Sequence, residues 1–229
     1  MCRDSKMAEL MREWHEAIGE ECCFNADGIV DPAEWDKQAA GTKVLFVLKE
    51  TNDLTDGAEQ NDNNVPLTEF LMNQDAPAKY GSMWPRIAEW RYAVCHPEDA
   101  YKWYSTQEAQ AALKNVAVMN LKKTPGAATA KDEEVLSHIE KYWEYIAREI
   151  ELIDPDVIVF CGTWWMVQQK RHKYRKLISD MHASEVPFPN TDSKKRLVID
   201  YWHPAARYPA IVMYYGIQGI VRAALTAKK

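Results

Sequence analysis

Apolar residues gather along this chain in four short, nearly unbroken runs, separated by stretches in which they recur at helical spacing. The first run is KVLFVLKE at 43–50, with Gly41 before it. The others are NVAVMNL at 115–121, DVIVFC at 156–161 and RLVIDY at 196–201. Such runs, without polar alternation, predict strands buried on both faces, as in a parallel sheet.

Between them the pattern predicts helices. Met7, Leu10, Met11, Trp14, Ala17 and Ile18 mark an amphipathic helix over 5–20, with Ser5 as its cap. Residues 82–94 follow the same logic, with Ser82 before the helix and Pro85 in its first turn. A short helix is predicted over 106–113. Val135, Leu136, Ile139, Trp143, Ile146 and Ile150 form the apolar stripe of a long helix over 132–153. Asp132 and Glu133 suit its positive N-terminus, and Pro155 ends it. Further helices are predicted over 164–180 and 209–226.

Strands alternating with helical crossovers argue for an α/β fold: a three-layer α/β/α domain around a central, mainly parallel four-stranded sheet. One domain over 1–229 is expected, with 51–112 as an insertion or long crossover. Ligands in such sheets bind beyond the carboxyl ends of the strands. Attention therefore falls on the segments after residues 49, 119, 161 and 201.

Composition narrows the function. The net charge of −6 speaks against tight, non-specific binding to nucleic acid, which depends on Lys and Arg at phosphates. Nine Trp and eleven Tyr supply flat rings for a core and for stacking in a pocket. The five cysteines (Cys2, Cys22, Cys23, Cys95 and Cys161) include no C-x-x-C, which speaks against structural zinc, an iron–sulfur cluster or a disulfide framework. A reducing, cytoplasmic setting is expected. No apolar run approaches the roughly 20 residues that span a bilayer, so no membrane partner is expected. The Asn- and Asp-rich segment 51–66 is no calcium loop, because Leu54 stands where an oxygen ligand is needed.

At the strand ends, Glu50 can act as a base, orient a water or steady a cationic transition state; it can equally make loop hydrogen bonds. Asn52 follows it closely. Asn120 ends a buried run and offers one acceptor and two donors, to a ligand edge or to a neighbouring loop. His203, in WHPAARYP, is held extended by Pro204 and can donate to a developing oxyanion or pack beside Trp202. Arg207 can meet a phosphate. Gly162-Thr163 makes a sharp strand-to-helix turn whose amides suit a phosphate, or where Thr163 caps the helix. KRHKYRK at 170–176 reads as a solvated helix face or a nucleic-acid patch.

Together KVLFVLKETND, NVAVMNLKKTPG and VIDYWHPAAR, with DPDVIVFCGT between the last two, resemble the uracil-DNA glycosylase superfamily over about residues 40–226. The chain departs from the family pattern in lacking a Gly before Glu50 and a Pro after it, and in having Ala205 where Ser is usual. The resemblance implies cleavage of the N-glycosidic bond of a base flipped out of DNA, with no metal or organic cofactor. It implies that Glu50 orients water or stabilises an oxocarbenium-like sugar. Asn120 would read the base edge, and His203 would hydrogen-bond the departing base. Phe70, Tyr80 and Trp84 are the aromatics that could stack on it. The same residues fit a second reading, a non-catalytic protein that binds a nucleotide or nucleic acid. A third, an unrelated nucleotide-binding α/β protein, lacks its usual glycine motifs.

Overall fold

The computed structural model describes residues 2–51, 65–73, 81–126, 129–168, 183–189 and 194–226. In chain order these form α1 (Arg3–Ile18), β1 (Gly28–Ile29), α2 (Pro32–Asp36), β2 (Val44–Leu48), α3 (Leu67–Met72) and α4 (Met83–Cys95). There follow α5 (Thr106–Leu113), β3 (Val116–Asn120), α6 (Asp132–Ile153), β4 (Val157–Cys161) and α7 (Trp164–Val167). The chain closes with β5 (Ala183–Pro187), β6 (Lys195–Tyr201) and α8 (Ala210–Thr226).

The strands form one six-stranded sheet in the order β1-β3-β2-β4-β6-β5. β3, β2, β4 and β6 run parallel, as the apolar runs predict. The expected four-stranded sheet is corrected at its edges, where β1 pairs antiparallel with β3 and β5 antiparallel with β6. β1 has two residues, too few to show a period. β5 reads ASEVP and lacks an apolar run. The sheet is therefore mixed.

β2, β3 and β4 are buried at every position, because helices cover both faces. Phe46, Val118, Val159 and Ile199 pack on one side with Trp90 and Ile87 of α4 and Ile217 of α8. Leu45, Ala117, Ile158 and Val198 pack on the other with Trp14 of α1 and Ile139 and Ile146 of α6. Full burial of such side chains contributes about 1.5–3 kcal/mol each, which makes these strands the stable platform. The 51–112 segment supplies α3, α4 and α5, and α4 and α5 pack within the first of these cores.

Several local expectations change. α1 begins at Arg3 with Cys2 as N-cap, so Ser5 lies in the first turn and does not cap it. α6 carries Asp132 and Glu133 in its first turn and ends at Asp154, which takes a left-handed conformation before Pro155. The predicted helix over 164–180 is described as α7 only to Val167. Its remainder, with the basic run at 170–176, lies outside the described residues.

The strand order sets the site. From β2 the chain steps to β3 on one side, then crosses to β4 on the other. The carboxyl ends of β2 and β4 therefore flank the point where the winding reverses, the usual place for a ligand crevice in an open α/β sheet.

Candidate functional site

Leu48 at the end of β2 lies beside Asn120 at the end of β3, and Cys161 at the end of β4 beside Tyr201 at the end of β6. This register brings the exits carrying Glu50, Asn120 and His203 to one edge of the sheet.

Glu50 leaves β2 with its side chain only 2% exposed and paired to Lys122, whose Nζ lies 2.5 Å from Oε2. Lys122 Nζ also donates to the carbonyls of Thr124 (3.2 Å) and Pro125 (3.3 Å). One ammonium thus ties the Glu50 carboxylate to the loop after β3. Gly126 completes the nest: its N–H donates to the Thr51 carbonyl at 2.8 Å. A Cβ at Gly126 would stand 2.1 Å from Glu50 Oε1, so the carboxylate lies directly on glycine backbone.

Asn120 is 2% exposed. Its Nδ2 donates to Thr51 Oγ1 at 3.2 Å. Its Oδ1 is buried and has no partner among the described residues. A buried carbonyl oxygen left unpaired costs about 1–3 kcal/mol, which a ligand N–H would recover.

The backbone at Asn120 is held from below. Its N–H donates to Asp27 Oδ2 at 2.6 Å. Asp27 Oδ1 accepts from Lys123 Nζ, and Glu149 Oε2 lies 2.8 Å from the same ammonium. All three side chains have no exposure. Two carboxyl groups share one cation there, so one of them must hold a proton. Burial first, and then the Asp27 charge, pushes the Glu149 carboxyl well above its usual range. Burial works against the Lys123 ammonium, but Asp27 and Glu149 outweigh it and raise its pKa. The geometry pairs Lys123 with both carboxyl groups, and burial favours the protonated form of Glu149.

His203 follows β6. The Ala205 N–H donates to its Nδ1 at 3.2 Å, so the neutral ring carries its proton on Nε2. Burial, then the nearby Lys49 ammonium, lowers the His203 pKa. The imidazole is thereby kept neutral with a fixed Nε2–H donor. Gly162, with φ +71°, lets β4 turn away beneath it, and its N–H donates to the Tyr201 carbonyl at 2.6 Å. Arg86 of α4 orders the loop beyond His203. Its buried guanidinium donates to the carbonyls of Pro204 (2.6 Å), Ala206 (2.6 Å) and Tyr208 (3.1 Å).

Other expected residues lie elsewhere. Thr163 is fully buried, and its hydroxyl donates to the Val47 carbonyl at 2.9 Å. It makes no capping bond to α7. Its side chain bolts β4 to β2 and has no surface for a phosphate. Trp84 is 5% exposed inside the core, 6.4 Å from the half-buried Phe70 ring, so it is core packing and not an open stacking platform. Arg207 is exposed on the loop after His203. Asn52 and Tyr80 lie outside the described residues.

Sequence pattern alone misses Lys122, Lys123, Asp27, Glu149 and Arg86. Two signals point to some of them. A Lys-Lys pair directly after an apolar strand is unusual for a surface, and Arg86 stands in the stripe that includes Ala93 and Trp90. Glu149 and Asp27 leave no such trace, since their pairing is made only by the fold.

No protein-family model matches this chain, and no curated protein matches it. Among the described residues no helix is long and apolar enough to cross a membrane.

Proposed function

We propose that the strand-end site receives a nucleobase flipped out of DNA and cleaves its N-glycosidic bond, as the resemblance to uracil-DNA glycosylases implies. The observation that carries this reading is the Asn120 Oδ1, buried and without a partner among the described residues. It asks for an N–H donor. His203, beyond β6 on the same edge of the sheet, offers an Nε2–H and asks for an acceptor. An acceptor and a donor together match an edge with an N–H beside a carbonyl, as in uracil, hypoxanthine or xanthine. Held in the same orientation, cytosine and adenine set a ring-nitrogen lone pair against Asn120 Oδ1 and leave it unpaired.

In this reading His203 donates to the base carbonyl as negative charge gathers there. Glu50 steadies the oxocarbenium-like sugar or orients the attacking water. Lys122 and Gly126 hold the carboxylate in place. Arg207, exposed on the loop after His203, would meet a phosphate of the strand. The five unpaired thiols suit a reducing, cytoplasmic setting.

A second reading has one observation in its favour. The Glu50 carboxylate is buried in an ion pair, which suits a protein that binds a base or nucleotide without cleaving it. Incubation with single-stranded and duplex DNA carrying uracil, hypoxanthine or xanthine, scored for abasic sites, separates the two. Release of at least one of these bases, with cytosine and adenine untouched, supports excision. Saturable binding without any release selects the second reading.

A further inference from the structure

Lys122 is a primary amine placed beside a carboxylate at the exit from β3, two residues after Asn120. Its Nζ lies 2.5 Å from Glu50 Oε2, and both side chains are shielded from water (9% and 2% exposed). A lysine shielded from water can form imines with carbonyl substrates once a general base in reach takes its proton. A structural staple needs only the charge and the carbonyl contacts to Thr124 and Pro125. Yet the pair shares its end of the sheet with the Asn120 oxygen, buried and without a partner among the described residues, which points to a ligand. Loss of a base from DNA leaves at C1′ a hemiacetal in equilibrium with an aldehyde, the kind of group that an amine attacks.

We infer that Lys122 forms a Schiff base with the C1′ aldehyde of an abasic site and that Glu50 serves it as proton acceptor and donor, giving the protein a strand-cleaving lyase activity. The inference rests on the base-excision reading above. Glu50 Oε2 takes a proton from the Lys122 ammonium, and the freed lone pair attacks C1′. The carbonyl electrons pass to oxygen, which takes up the proton that the nitrogen releases. Glu50 then returns its proton to that oxygen, which leaves as water, and the nitrogen retains the positive charge as an iminium ion. The carboxylate next accepts a proton from C2′. The C–H electrons form an enamine, and its collapse breaks the C3′–O bond and expels the phosphate. Water later hydrolyses the imine and frees Lys122.

The test uses full-length protein and DNA with a preformed abasic site, so no base has to be excised. Borohydride is the trap: its hydride adds to the imine carbon and fixes the adduct. The inference predicts a covalent protein–DNA adduct that digestion and mass spectrometry place on Lys122. Lys122→Arg keeps the ion pair but cannot form an imine, and should give none. Glu50→Gln should slow trapping by about a hundredfold or more, the usual contribution of a positioned base. No adduct with the native chain, or an adduct on another amine that survives Lys122→Arg, overturns the inference. Trapping on Lys122 without release of any base would instead sink only the excision reading.

Discussion

The backbone N–H of Ala205 donates to Nδ1 of His203 at 3.2 Å, and this one contact decides which ring nitrogen can serve a ligand. A protonated ring would present N–H to N–H at that point, so the contact and the lowered pKa support each other. The imidazole should therefore show a single neutral tautomer, protonated at Nε2, in nitrogen NMR at neutral pH. Its titration midpoint should lie below the ordinary value of 6.5. Any base release that depends on the neutral ring should fall to half only at a pH below 6.5. A ring that titrates at or above 6.5 would contradict this account.

The buried pair of Asp27 and Lys123 makes a prediction with a worked sign. Glu149 keeps its proton in the fold to well above 4.5, while the unfolded chain releases it near 4.5. Stability from this group is fully present below that value and is lost as pH rises toward the raised folded pKa. Gln has the shape of the neutral acid and no proton to lose. Glu149→Gln should therefore gain stability relative to the native chain between pH 5 and pH 8, read as melting temperature. Lys123→Met strands a buried carboxylate and should cost about 3–5 kcal/mol in urea unfolding.

Gly126→Ala sets a methyl group where the Glu50 carboxylate lies. The acid, held by Lys122, is the atom group that must move. The substitution should cost about 1–3 kcal/mol of stability, as overpacking does. It should also lower kcat for base release far more than it raises KM, because it displaces a group acting on the reacting centre. An unchanged kcat would show that Glu50 takes no part in the chemistry.

Arg86 joins α4 to the His203 loop by three carbonyl contacts. Arg86→Met should leave those carbonyls unsatisfied and cost about 3 kcal/mol, at the level of one lost charged hydrogen bond after the others relax. Arg86→Lys retains the charge but not the planar fork, and should recover only part of this. Chemical unfolding of the two variants checks the order. Equal stabilities would show that the fork is not needed.

The four central strands were legible because β2, β3, β4 and β6 are continuous apolar runs, and a parallel sheet buried on both sides demands that pattern. The edge strands were not, since β1 has only two residues and β5, at the open edge of the sheet, carries Ser184 and Glu185 between its buried Ala183 and Val186. The rule that ligands bind beyond the carboxyl ends of parallel strands pointed to the exits carrying Glu50, Asn120 and His203 before any contact was known. Thr163 shows where the rule stops. A Gly-Thr turn has the same local signature whether the hydroxyl meets a phosphate or the Val47 carbonyl, and only the neighbouring strand decides. Lys122 and Glu149 were hidden for a similar reason, since their partners lie 72 residues away at Glu50 and across the core at Lys123.

Single-turnover release of a deaminated base from DNA, followed for the native chain beside Glu50→Ala and His203→Ala, tests the central claim most directly. The account predicts release by the native chain of a base with an N–H beside a carbonyl. It predicts a loss of roughly a hundredfold or more in each variant, the scale of a positioned catalytic group. No release of uracil, hypoxanthine or xanthine by the native chain, or equal release by both variants, would contradict it.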